Sequence, residues 1–197
     1  MTDSKLGLRI ALATALLSTT AFADTPAGSS HFSSDPAKST LQFSFVQAGA
    51  TNTGKFAKFP VALDAAADGS AATKLDVAVD MTTMDSGDKD RDDTLRGPDL
   101  FSVAKFPQAH FTATQITKTA AGFDALGKLT IRGVTRDQHV LFTLRAANEQ
   151  GHTVSYLTGK TTVHRLDFGV GQGDWKSTEW VGNDVVVSYN VRLVAAP

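Results

Sequence analysis

The chain has 197 residues, 42% of them hydrophobic and 20% charged, with 19 Lys and Arg against 20 Asp and Glu for a formal net charge of −1. That suffices for one domain with a substantial core, is too apolar for intrinsic disorder, and lacks the basic excess of a nucleic-acid binder. The absence of cysteine excludes disulfides, thiolate nucleophiles, iron–sulfur clusters and cysteine-ligated zinc.

Residues 1–23 read as a secretory signal peptide. Lys5 and Arg9 form a basic start, Ile10 to Leu17 is apolar, and Ala21-Phe22-Ala23 is an A-x-A cleavage site. The apolar run is less than half of the ~20 residues that a membrane span needs. The expected organisation is a cleaved segment over 1–23 and one exported domain over 24–197, with the bacterial periplasm as its destination.

From Thr40 onward, apolar residues fall on alternate positions. Leu41, Phe43 and Phe45 share one face, and the pattern returns in Leu75, Val77, Val79, Met81, in Val140, Phe142, Leu144 and in Val185 to Leu193. A period of two sends one set to the core of a sheet and the other to water. Further strand-like runs surround Phe56, Phe111, Leu129, Tyr156 and Val163, giving eight or nine strands separated by Gly, Asp or Asn turns. The scarcity of Glu (only Glu149 and Glu179 beside 18 Asp) agrees with strands and turns.

Residues 86–103 break the alternation. Their charged start, followed by Leu95, Leu100 and Phe101, suits a short helix ended by Gly97-Pro98. Strands in this number with one helical insertion predict an all-β, eight-stranded antiparallel barrel, because closure removes exposed edges; an immunoglobulin-like sandwich is the alternative. An eight-stranded barrel has room for one small ligand.

Motifs for chemistry are sparse. Asp88, Asp90 and Asp92 have the 1-3-5 spacing of a calcium loop, but Asp93 stands where a Gly is needed and Asp99 where a bidentate Glu is expected. A helix start with Asp at its positive end is the better reading. The five histidines form no H-E-x-x-H or H-x-H pair, although His110 and His139 could meet in space. Gly169, Gly171 and Gly173 lack phosphate-loop spacing and suit a corner at the barrel rim. No nucleophile elbow occurs. The surplus of Phe (12 in the chain) fits either a packed core or the wall of an apolar cavity, and composition leaves both open.

Five stretches in order, SDPAKSTLQFSF, TGKF, MDSGDKDRDDTLRGPDLFSVAKFPQAHFTAT, GKLTIRGVTR and RLDFGVGQ, resemble the YceI-like family of exported lipid-binding proteins. The third supplies Arg91, Asp92, Leu95, Phe101, Phe106, Pro107 and Phe111 to the family pattern, and the fourth supplies Leu129, Thr130, Ile131, Gly133, Val134 and Thr135. The chain departs from many relatives in having Phe32 for a Trp, Leu100-Phe101 for paired aromatics, and Gln47-Ala48-Gly49 where a histidine is common.

The resemblance implies a lipocalin-like barrel holding a polyisoprenoid, an isoprenoid quinone or a related lipid. No other cofactor, metal or catalytic residue is implied. The expected lumen wall is Leu41, Phe43, Phe45, Phe56, Val77, Val79, Met81, Phe111, Leu129, Ile131, Phe142 and Phe168. Burying a CH₂ contributes roughly 0.8 kcal/mol, so three or four isoprenoid units give about 12–16 kcal/mol gross. That exceeds all but the higher estimates of the ~4–15 kcal/mol association cost, so no conspicuous polar motif is required. The tail GQGDWKSTEWVGNDVVV resembles the branch found beside diheme b-type membrane cytochromes. An accessory role beside such a cytochrome, in quinone-linked electron transfer or stress response, is therefore the second reading, with Trp175 and Trp180 as its contact. An isoprenoid-modifying enzyme comes third, and a homodimer is compatible with any of these.

Overall fold

The computed structural model describes residues 29–195. The expected signal peptide, 1–23, lies outside the described residues. In chain order the elements are β1 (Ser29–Ser34), β2 (Thr40–Gln47), β3 (Ala50–Phe56), β4 (Val61–Ala66), β5 (Ala72–Asp80), β6 (Met84–Asp85), α1 (Lys89–Arg96), β7 (Gln108–Thr119), β8 (Gly122–Ile131), β9 (Val134–Glu149), β10 (His152–His164) and β11 (Val181–Ala195).

The strand segments occupy eight positions around a closed antiparallel barrel. β1 pairs with both β4 and the end of β11, and the ring runs on through β5, β7, β8, β9 and β10 to β11. β2 pairs with the earlier part of β11, β3 with β2, and β6 with β3, so each extends a ring position toward one end. β1 and β2 form one such position, broken at Pro36–Lys38, where a residue without an N–H cannot continue the ladder. β3 and β4 form the next, and Pro60 and Lys58 carbonyls between them accept from Ala78 and Asp80 N–H at 3.0 and 2.9 Å. The eight-position barrel expected from the alternation is therefore present, with its first three positions interrupted.

The two ends differ. At one, Phe32, Leu63, Ala125 and Leu193 are fully buried in a packed plug. Phe142, expected in the lumen wall, belongs to this plug instead: its ring stacks on Phe123 with centroids 5.2 Å apart. Alternation fixed its inward face but not its level along the barrel axis. The same end is clasped by Arg192, which donates to Asp35 at 2.8 Å and to Glu149 at 2.8 and 3.1 Å.

The other end carries α1. Asp88 caps it by accepting from Arg91 N–H at 2.9 Å, Asp90 and Asp92 occupy the first turn, and Arg96 the last. Asp92 is buried and accepts from Ser86 N–H at 2.8 Å. The acidic run thus organises a helix start, as dipole and capping physics favour.

Candidate ligand-binding lumen

Between plug and helix lies a cavity of about 170 Å³ whose exposed surface is wholly apolar. β2 supplies Leu41 and Phe43, β3 Phe56, β5 Val77 and Val79, and Met81 follows β5. β7 supplies Phe111, β8 Leu129 and Ile131, and the Arg165–Phe168 turn supplies Phe168. Ten of the twelve expected wall residues therefore surround one space, while Phe142 is in the plug and Phe45 lines the adjoining mouth. His110, Gln138, Thr161 and Arg165 also line it, and the wall continues through Phe101, Ala109, Val140, Val163, Val170, Val185, Val187 and Tyr189. The last three lie on the period-two run of β11, which could have nominated them as readily as β2 nominated its own.

Glycines keep the wall rings flat. Gly54 pairs with Phe43, and a Cβ there would sit 2.3 Å from the Phe43 ring. Gly159 pairs with Tyr189, whose ring a Cβ would meet at 2.8 Å. Each ring lies over the missing side chain, leaving the lumen centre open. The Tyr189 hydroxyl donates to the Leu141 carbonyl at 2.5 Å, and burial pushes its pKa up, so it stays a donor.

The lumen adjoins a mouth of about 300 Å³ that shares Phe43, Phe101, Arg165, Val170 and Val185 with it. The mouth adds Phe45, Gln47, Asp90, Arg91, Thr94 and Trp175. Two segments roof it. The turn at 169–172 is tied to the stretch after α1 by Gly171 and Gln172 N–H groups donating to Asp99 O at 3.0 and 2.8 Å. Gly169 and Gly171 adopt φ of 67° and 121°, which the corner requires and side chains resist.

Arg165 holds this roof from inside. It is 4% exposed. Its Nε donates to Gly182 O, Nη1 to Val170 O and Trp175 O, and Nη2 to Ser177 O and Val181 O, at 2.7–3.1 Å. All five N–H groups of the guanidinium are used. Burial lowers its pKa from the usual arginine value. Sequence reading gave Arg165 no role, because its partners are main-chain carbonyls, which leave no residue-type signature.

His110 and His139 do not meet: β8 runs between their strands, both are exposed, and His139 Nδ1 lies 2.9 Å from Asp124. Trp175 is half-buried at the mouth, whereas Trp180 is 66% exposed.

A YceI-like domain pattern matches residues 32–193. UPF0312 protein YE1254 of Yersinia enterocolitica is 41% identical over 66 residues, 34% of each chain, so the match spans about a third of that relative's length. BcnA of Burkholderia cenocepacia superposes with a TM-score of 0.70 at 28% identity, covering 81% of this chain and 98% of that one. The Campylobacter jejuni YCEI protein has a TM-score of 0.67 at 22% identity, covering 73% and 85%. A polyisoprenoid binding domain from Saccharophagus degradans has a TM-score of 0.57 at 16% identity, covering 85% and 99%. The last two share the fold.

Proposed function

The chain belongs to the YceI-like family, and from that membership we propose that it is a periplasmic binding protein that carries an isoprenoid lipid with the tail in the barrel lumen. One observation carries the reading: a closed barrel keeps an internal cavity whose exposed surface is entirely apolar. Well-packed interiors leave few voids larger than a water molecule, and an apolar cavity favours an apolar occupant. The polyisoprenoid-binding description of the Saccharophagus degradans neighbour supports the ligand class. The lining holds no convergent acid–base pair, which favours carriage over catalysis.

The test is mass spectrometry of lipid extracted from the exported, purified protein. We expect an isoprenoid lipid in near-stoichiometric amount; exported protein purified without any bound lipid overturns the reading. Intact mass of the exported form, expected to begin at Asp24, tests the location separately.

Trp180 favours a second reading. Its ring is exposed beside the β2–β3 turn, where Ala48 N–H donates to Trp180 O, and a membrane b-type cytochrome could dock there. Cross-linking from position 180 in whole cells would capture such a partner.

A further inference from the structure

The ladder between β9 and β10 ends before either strand does. Their pairing stops at Phe142 and Gly159, yet β9 stays paired with β8 back to Val134, and β10 with β11 on to His164. Residues 134–141 and 160–164 therefore flank a seam in the barrel wall that no strand pairing closes among the described residues. An unpaired strand edge leaves N–H and C=O groups in need of partners, and side chains meet part of that need here. Thr161 Oγ1 donates to His139 O at 2.7 Å, and Gln138 Nε2 lies 3.2 Å from both Thr161 Oγ1 and Thr162 O. The Tyr189 hydroxyl donates to Leu141 O, the first carbonyl beyond the ladder.

The seam joins the lumen to the outside. Gln138, Val140, Thr161 and Val163, from both of its edges, line the lumen. On the outer face Leu141 is 54% exposed at the end of the ladder. The roof of the mouth is fastened far more firmly. Arg165 holds it with five hydrogen bonds to main-chain carbonyls, and the Gly171 and Gln172 N–H groups add two to Asp99 O. Lifting the roof would strip these acceptors from a buried cation, which is costly. Parting the seam breaks the bonds of Gln138, Thr161 and Tyr189, and each strand keeps the ladder on its other side. Local opening proceeds where the fewest interactions are lost.

We propose that the β9–β10 seam is a lateral portal through which the apolar tail of a lipid enters and leaves the lumen while the roof of the mouth stays closed. The assignment rests on the lumen being a tail site. Gln138 and Thr161 are the latches, since their hydrogen bonds stand where main-chain rungs would otherwise hold the wall shut. Leu141 offers the passing tail an apolar contact on the outer face.

The experiment closes the seam from outside. The chain has no cysteine, so an introduced pair can be bridged selectively. His139 and Thr162 are exposed on opposite edges of the seam and do not line the lumen. The exported protein carrying His139→Cys and Thr162→Cys is loaded with retinol, bridged with a short bis-methanethiosulfonate and checked by intact mass. The matched variant carries Thr143→Cys and Thr158→Cys, which face each other on the same two strands where the ladder is intact. Transfer of retinol to phosphatidylcholine vesicles holding a nitroxide-labelled lipid is followed by loss of its fluorescence. The bridge across the seam is expected to slow transfer about tenfold or more, and its reduction to restore the rate. The bridge across the ladder leaves the rate as it was. Equal transfer from the two bridged variants overturns the portal and leaves the tail reading standing. Retinol that cannot be loaded into any of these proteins overturns the tail reading and the portal together. Amide hydrogen exchange on the unsubstituted protein gives a second measure. Seam-facing amides in 136–141 and 160–163 should exchange faster than amides in 142–147 that face β10, and equal protection overturns the portal.

Discussion

At the scale of single residues, the unusual group is a buried cation satisfied by backbone alone. Arg165 gathers carbonyls from residues 170, 175, 177, 181 and 182, so one side chain folds a segment that has little regular structure. Replacing it with Met leaves several acceptors without donors in a buried place, each costing about 1–3 kcal/mol. Arg165→Met is therefore expected to lower stability by at least about 3 kcal/mol in urea unfolding. Arg165→Lys should recover little, because an ammonium has three donors in a different geometry. Gly54 is the second informative position, because the three nearest atoms a Cβ would meet all belong to the Phe43 ring. Gly54→Ala is expected to push that ring into the lumen, costing about 1–3 kcal/mol and reducing lipid retained after purification.

At the scale of elements, β11 joins the two ends of the barrel. Its early residues pair with β2 at the mouth and its last with β1 at the plug. Near the plug, Arg192 ties it to the β1–β2 junction through Asp35 and to the end of β9 through Glu149. The Tyr156 hydroxyl donates to Glu149, and with Arg192 it holds that carboxyl below its ordinary value. The folded state thus binds the Glu149 proton less tightly than the unfolded chain does. The resulting stabilisation is complete above the ordinary carboxylate range and is lost as pH falls through the lower folded-state value. Urea midpoints measured from pH 7 to pH 3 should fall less steeply in Glu149→Gln than in the wild type. Identical slopes would show that the clasp contributes nothing to acid sensitivity.

At the scale of the whole molecule, closure encloses an apolar lumen with strands that would otherwise form an open sheet. Because neighbouring residues on a strand face opposite ways, the lumen can be tested by a matched pair on β5. Val79 lines the cavity; Ala78, its neighbour, does not, and pairs with the exposed His110. Val79→Trp is expected to expel lipid from a folded barrel, while Ala78→Trp keeps it. Circular dichroism checks the fold and mass spectrometry the lipid. Equal lipid content in two folded variants would move the ligand out of the lumen.

The sequence by itself determined which residues face inward, because strand alternation is a local consequence of backbone geometry. It also placed the helix, since Asp88 and Gly97 bound it through caps that act within a few residues. Only the tertiary structure decided how far along the barrel axis each inward residue lies. Phe45 and Phe142 show the difference: one reached the mouth and the other the plug, although both sit on correctly read faces. Height depends on strand register and tilt, which are set by pairing partners distant in sequence. The same holds for Arg165, whose five carbonyl partners converge only after the 165–182 segment has folded over the barrel end. Facing is written locally in residue order; level and convergence arise from the closure of the ring.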